Sequence, residues 1–252
     1  MDTTTPTNPD ASADADKLHA AAGAGRYDLY AGIHKALRLM MSRTLTRVGA
    51  TDPTAADEVA GALAQLGRLL ELCELHLKDE NEFVHPALER ARAGSAARVA
   101  AEHVHHAEAI ADLRDLAGLV ADSLGIARAA ALGRLYRALA LFVADNFQHM
   151  HVEETAHNAL LWAAYGDAEL QAIEQAIVAS IPPAAMAEAL HWFIPALHAG
   201  ERAAMLDGMR HEMPPEPFAH VLEIARATLD QDQHARLLRA LGLPVAPGMM
   251  RA

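Results

Sequence analysis

Cysteine is almost missing from this chain of 252 residues: Cys73 stands alone. One thiol cannot build a disulfide framework or a cysteine-only zinc knot. Basic residues are in deficit, with 21 Lys and Arg against 33 Asp and Glu and a formal charge of −12. Nucleic acids and anionic membranes both need a concentrated basic surface, so neither is expected as a partner. No apolar run approaches the length of about 18 residues that spans a bilayer, and no short apolar core marks a secretory signal. A lone thiol and no secretory route together lead to the expectation of a cytoplasmic protein. Nucleotide and hydrolase signatures are also lacking. Gly23-Ala-Gly25 is a fragment of a dinucleotide loop and follows no strand, while Walker and Gly-x-Ser-x-Gly motifs do not occur. His211-Glu212 lacks the second histidine of a zincin and runs into prolines.

What is present is helical. From Arg26 onward Ala, Leu, Glu and Arg dominate, and apolar residues recur three and four apart. Residues 1–22 have almost nothing to bury and read as a disordered leader. A first helix is expected from Arg26 to Arg47, a second from Ala55 to Arg92 capped by Thr54 and interrupted at Pro86, a third from Ala96 to Leu124, and a fourth from Arg128 to Tyr165. Four long helices with short loops predict an antiparallel up-down bundle over residues 23–166. Residues 167–252, punctuated by Pro182-Pro183, Pro195, Gly200 and Pro214-Pro215, predict a smaller helical extension of four or five short helices. The fold class is therefore all-α. At this length the core needs neither disulfide nor metal for bare stability.

The abundant residue is histidine, with 15 copies against two Trp, four Tyr and five Phe. Three His/Glu pairs lie four apart, His76/Glu80, His85/Glu89 and His149/Glu153, a spacing that puts both side chains on one helix face. Three is only slightly above chance, so placement matters more than number. His85/Glu89 straddles Pro86, which leaves one pair on the second helix and one on the fourth. The first helix offers His34 beside Ile33, Leu37 and Met41; the third offers His103 and His106 on the stripe continued by Ile110, Leu113 and Val120. Each helix thus carries an inward histidine and two add a glutamate, the donor set of a dinuclear carboxylate site inside a bundle. Relative heights agree for the later hairpins: Glu80 lies 14 residues before Gly94 and His106 lies 12 after it. In the first hairpin, His34 lies 17 residues before Thr51 and His76 lies 25 after it, a mismatch of about 12 Å. Either the second helix starts later than drawn or its first turns overhang.

At these residues the chain resembles the hemerythrin-like, HHE cation-binding family. The likeness covers about Tyr27 to Trp162 and is carried by Ile33-His34-Lys35, by His76-Leu-Lys-Asp-Glu80 with Val84-His85-Pro86, by Glu102-His103-Val-His-His106, and by His149-Met-His-Val-Glu153. The resemblance implies two iron ions bridged by Glu80 and Glu153 and by an oxo or hydroxo group, with terminal imidazoles from His34, His76, His149 and the third helix. It implies dioxygen or nitric oxide as the small ligand. Oxygen-carrying hemerythrins place two histidines four apart on the third helix and an Asp five after the last histidine; here the third-helix pair is three apart and Glu153 stands at plus four. That pattern is similar to a bacterial branch with four histidines and two glutamates, which makes either His103 or His106 surplus. His85 is expected to support a ligating carboxylate, His105, His151 and His157 to lie off the ligand face, and His191, His198, His211, His220 and His234 to form no metal site. The expected function is binding or sensing of oxygen, nitric oxide or redox change, rather than catalysis, with the C-terminal helices as an output layer toward a second copy or another protein. An alternative is a di-iron enzyme or repair factor that turns over peroxide or nitric oxide or donates iron; a third is a helical interaction module with vestigial histidines.

Overall fold

The computed structural model describes residues 25–245, so the expected leader at 1–22 lies outside the described residues. Every regular element among these residues is helical: α1 (Ala31–Ala50), α2 (Ala56–Asp79), α3 (His85–Ala91), α4 (Ala97–Asp122), α5 (Gly125–Val152), α6 (Asn158–Ala164), α7 (Asp167–Ser180), α8 (Pro183–Ala196), α9 (Ala199–Glu212), α10 (Pro215–Thr228) and α11 (Gln231–Ala240). A single π-helical turn, Glu80–Val84, joins α2 to α3, and a second, Glu153–His157, joins α5 to α6. Each of these two composite rods lines the bundle together with α1 and α4. Pro86 sits in the first turn of α3, directly after the first π-turn. The interruption expected at Pro86 is therefore a local widening that starts six residues earlier, at Glu80.

Helix starts follow from local acceptors. Asp28 Oδ1 accepts the backbone N–H groups of Tyr30 at 3.0 Å and Ala31 at 3.1 Å, which begins α1 five residues later than periodicity alone predicts. The same oxygen accepts the Asn158 side-chain amide at 2.9 Å and so ties the start of α1 to α6. Arg26 continues this seam, pairing with Asp167 at 2.6 Å and donating to the carbonyls of Trp162 and Tyr165. The expected cap of α2 is not formed by Thr54, whose hydroxyl and N–H are both turned to Asp52 Oδ1 at 2.8 Å. The second helix begins from Ala55 without a side-chain cap, and Asp57 and Glu58 in its first turn face the positive end of the helix dipole. Starting α2 at Ala56 and ending α1 at Ala50 also reduces the height mismatch of the first hairpin. Counted from the helix ends, His34 is 16 residues back and His76 is 20 forward, a difference of four residues or about 6 Å.

The bundle core is the continuation of the histidine stripes. Leu37, Met40 and Met41 of α1 meet Leu66, Leu69 and Leu70 of α2 and Leu135 and Leu139 of α5. Cys73 is part of this packing, and burial pushes its thiol up to about 12, so it behaves as a core hydrophobe. The later helices have a core of their own, centred on Leu190, Ile194, Leu206, Phe218, Val221 and Ile224. Several contacts join them to the bundle: α8 lies along α1, with Trp192 against the main core, Leu170 of α7 packs with Val84, Leu88 and Leu161, and Lys35 pairs with Glu201 and Arg68 with Glu188. No helix among the described residues is long and apolar enough to cross a membrane.

Arg202 holds the α8–α9 corner. It is buried, and its Nε and Nη2 each donate at 2.6 Å, to the carbonyls of Ile194 and Leu197. Both carbonyls stand at the C-terminal end of α8, where the helix supplies no further N–H donors. Arg202→Ala is expected to destabilise the C-terminal helices by about 1.5–3 kcal/mol, the range for losing charge-assisted hydrogen bonds to buried acceptors. Urea melts followed by amide exchange across α8 and α9 check this; unchanged protection there would contradict the anchoring role.

Candidate metal centre

Six of the histidine and glutamate side chains singled out by placement converge at one level of the bundle. His34 comes from α1, His76 and Glu80 from the α2 end, His103 from α4, and His149 and Glu153 from the α5 end; five of the six are buried, and the side chain of the sixth, His76, is only 9% exposed. They form two groups of four, His34, His76, Glu80 and Glu153, and Glu80, His103, His149 and Glu153, each offering donor atoms that all lie within 4.8 Å of one another. The two glutamates belong to both groups. Glu80 presents Oε1 to His76 at 3.3 Å and Oε2 to His103 at 3.3 Å, while Glu153 presents Oε2 to His34 at 3.4 Å and Oε1 to His149 at 3.3 Å. Two donors on one divalent ion at about 2.1 Å stand about 3.0–3.4 Å apart for angles between 90° and the tetrahedral value. These four spacings fall in that window, while His34 Nε2 to Glu80 Oε1 at 3.8 Å and His103 Nε2 to Glu153 Oε1 at 4.0 Å correspond to wider donor–metal–donor angles.

The polar accounting gives the same answer. Both oxygens of Glu80, both oxygens of Glu153, and the Nε2 atoms of His34 and His76 are buried without a hydrogen-bond partner. Six orphaned acceptor or donor atoms at one point would each forgo about 1–3 kcal/mol in an ordinary core. Nε2 of His103 and Nε2 of His149 face each other at 3.1 Å. Two neutral imidazoles whose Nδ1–H groups donate outward would oppose lone pairs there; a proton on His149 relieves this without metal, and a cation against both nitrogens would relieve it when bound. A cation held by each group of four removes every one of these deficits.

The outer nitrogens are fixed by neighbours. His34 Nδ1 lies 3.1 Å from Glu154, His103 Nδ1 lies 2.9 Å from Asn81, and His149 Nδ1 lies 2.9 Å from Glu102. In each case an Nδ1–H donates outward, which leaves Nε2 as the inward donor atom. Glu154 is itself clamped by Arg38 at 2.8 Å, and the pairings with His34 and Arg38 hold its carboxyl at about 2 against the opposing effect of burial. Asn81 and Glu154 immediately follow the two glutamates shared by both groups. The π-turns make this possible: widening the turn at Glu80 and at Glu153 lets one residue point into the bundle and the next reach the histidine of a neighbouring helix. These supporting residues are invisible to a search for His/Glu spacing; the one local signal is the Glu102-His103 dipeptide.

His106 stands beside the six rather than among them. Its Nε2 faces Asp145 Oδ2 at 3.0 Å, and its ring packs edge-on against His149 with centroids 4.7 Å apart. A separation of three residues turns His106 about 60° around α4 from His103 and moves it about 4.5 Å along the axis, enough to leave the cluster. His85 stacks on His103 at 4.8 Å. His157, expected off the ligand face, is nonetheless buried, with Nδ1 3.5 Å from the Tyr30 hydroxyl. His105 and His151 are exposed.

Electrostatics show how the chain handles the site as it stands. Burial opposes charge on His34, but Glu154 and Glu80 overcome it and hold the imidazole at about 9. His149 is likewise held at about 9 by Glu153 and Glu102 against burial. Burial pushes His76 down to about 3 despite Glu80, with the other imidazoles adding repulsion. Burial also opposes ionisation of Glu80, yet His76, His103 and His34 draw it well below the carboxylate range, while burial and the Glu80 charge push Glu153 up. Two protonated imidazoles therefore stand in for cation charge. A divalent ion must displace them, so affinity is expected to rise with pH until His34 and His149 deprotonate near 9. At pH 7.5, loading the metal-free protein should release about two protons per chain and raise its melting temperature. Titration calorimetry in buffers of different ionisation heat measures the release; cation binding without proton release would contradict this protonation pattern.

No curated protein and no solved structure matches the chain. A family model does, the hemerythrin HHE cation binding domain, over residues 26–160, more than half of the sequence and the whole span from the Arg26 seam through the two π-turns. The chain therefore belongs to the hemerythrin HHE cation-binding family.

Proposed function

We propose that this chain is a non-haem di-iron protein of the cytoplasm that binds dioxygen or nitric oxide, or senses redox change, at a carboxylate-bridged site in its bundle. The observation that carries this reading is that two groups of four buried donors share the same two glutamates. His34 and His76 would hold one ion, His103 and His149 the other, and Glu80 and Glu153 would span both. Two glutamates return two negative charges to two divalent ions, and the imidazoles add coordination without further charge. Iron is favoured among metals that accept His and carboxylate donors because a sensing role needs a redox couple; bound iron supplies that couple and a coordination position for a diatomic ligand.

The chain's own residues prepare the site. Glu154, Asn81 and Glu102 fix three imidazole orientations, the leucines of the main core exclude bulk water, and Arg38 neutralises the carboxylate that faces His34. The C-terminal helices pack along α1, the helix that carries His34, so a change at His34 has a direct mechanical route to them.

Metal analysis of protein expressed with iron is expected to give two irons per chain, with a near-ultraviolet absorption that changes on exposure to oxygen or nitric oxide. Well under one iron per chain, with no such absorption, would sink the reading. His103→Ala is expected to lose about one of the two ions, whereas His106→Ala keeps both; loss in the second variant would place His106 among the ligands.

A further inference from the structure

The C-terminal helices enclose a second feature that the family domain does not contain. Between α1, α2 and the first π-turn on one side and α7, α8 and α9 on the other lies a cavity of about 600 Å³. That is the size of site that holds an organic molecule, far more than a diatomic gas needs. The bundle side of the wall includes Leu29, Ile33, Leu72 and Leu75, and the opposite side includes Ile177 and Phe193. Four methionines, Met186, Met205, Met209 and Met213, complete it from the later helices. Thioether side chains adapt to the shape of an apolar guest, and four of them on one wall favour a flexible or variable one.

The polar part of the wall is one-sided. Asp79, Glu80, Glu174 and Glu212 line the cavity, and no lysine or arginine does. An anionic head group would meet four carboxylates and no cation. Asp79 is only 5% exposed, and its Oδ1 has no hydrogen-bond partner. Asp79 is nevertheless part of the cavity wall, and a carboxylate at the edge of an apolar cavity is stabilised by a guest that brings a donor to it. His76 and Glu80 belong both to this wall and to the group formed with His34 and Glu153, whereas His103 and His149 do not line the cavity. The cavity therefore reaches one half of the metal centre and not the other.

We propose that this cavity binds a neutral apolar organic molecule carrying one hydrogen-bond donor, a hydroxyl or a non-basic aromatic N–H, which meets Asp79 while the apolar body lies against the methionine wall beside His76. The walls from α7, α8 and α9 fall after residue 160, where the family match ends, so the site is a property of this chain's added helices. The proposal goes beyond the metal reading and does not need it, because most of the wall is apolar protein.

The test uses the full chain and N-phenyl-1-naphthylamine, a neutral fluorophore with a single N–H. Saturable binding of one probe per chain is expected, in both the metal-free and the iron-loaded protein, so a failure to load iron and a failure of the cavity are read separately. Dodecan-1-ol should displace the probe at concentrations about tenfold lower than dodecanoate or dodecyl methyl ether, which respectively carry a charge and lack a donor. Asp79→Ala should abolish the preference for the alcohol over the ether, and Asp79→Asn, which keeps an acceptor, should retain it. Gly208→Phe and Ala204→Phe fill the cavity from exposed lining positions, and at Gly208 an added Cβ meets nothing within 4 Å. Both should weaken the probe about tenfold while helicity and melting temperature hold. No saturable binding, binding indifferent to both filling variants, or equal competition by dodecanoate would overturn the proposal.

Discussion

Everything in this bundle is arranged around two carboxylates that are buried side by side. Glu153 is fully buried, Glu80 nearly so, and none of their four oxygens has a hydrogen-bond partner. Two such groups in a low-dielectric core repel each other and cost several kcal/mol apiece unless positive charge meets them. The surrounding imidazoles meet that demand as proton carriers without metal and, in the proposed di-metal form, would meet it as neutral ligands. Protonated His34 and His149 and unprotonated His76 are the form the chain takes when protons must do the work of cations.

That requirement explains the backbone. A regular α-helix would send the residue after each bridging glutamate about 100° away and onward at constant pitch. The π-turns at Glu80–Val84 and Glu153–His157 insert extra width where the chain must turn a carboxylate inward and place Asn81 or Glu154 against a histidine of another helix. The arrangement is matched across the bundle: Asn81 supports His103 and Glu154 supports His34. Glu154 differs from Asn81 in carrying charge and is backed by Arg38, as Glu102 on His149 is backed by Arg98, so each half of the cluster has one arginine-backed carboxylate behind an imidazole. Only the half that includes His76 faces the cavity enclosed by the later helices. Two positions that are equivalent in their ligand types are therefore unequal in their surroundings.

Helix-by-helix placement of histidine and glutamate, the apolar stripes and the loop residues are properties of the sequence alone. They determined an all-α chain, four long helices and a cluster of histidines and glutamates that could hold metal, because helical period and helix breakers are local physics. Where the reading went astray, the reason is equally local. Thr54 found a nearer partner in Asp52, and Asp28 delayed the start of α1 by accepting two N–H groups ahead of it. Which of His103 and His106 lies within the cluster depends on a rotation of about 60° around α4, which only the packing of α4 against its neighbours sets. The burial of His157, the support from Asn81 and Glu154, and the cavity behind His76 are relations between helices far apart in the chain. No spacing rule encodes them; tertiary structure decided them, because each depends on which faces meet once the bundle and the added helices close around the two glutamates.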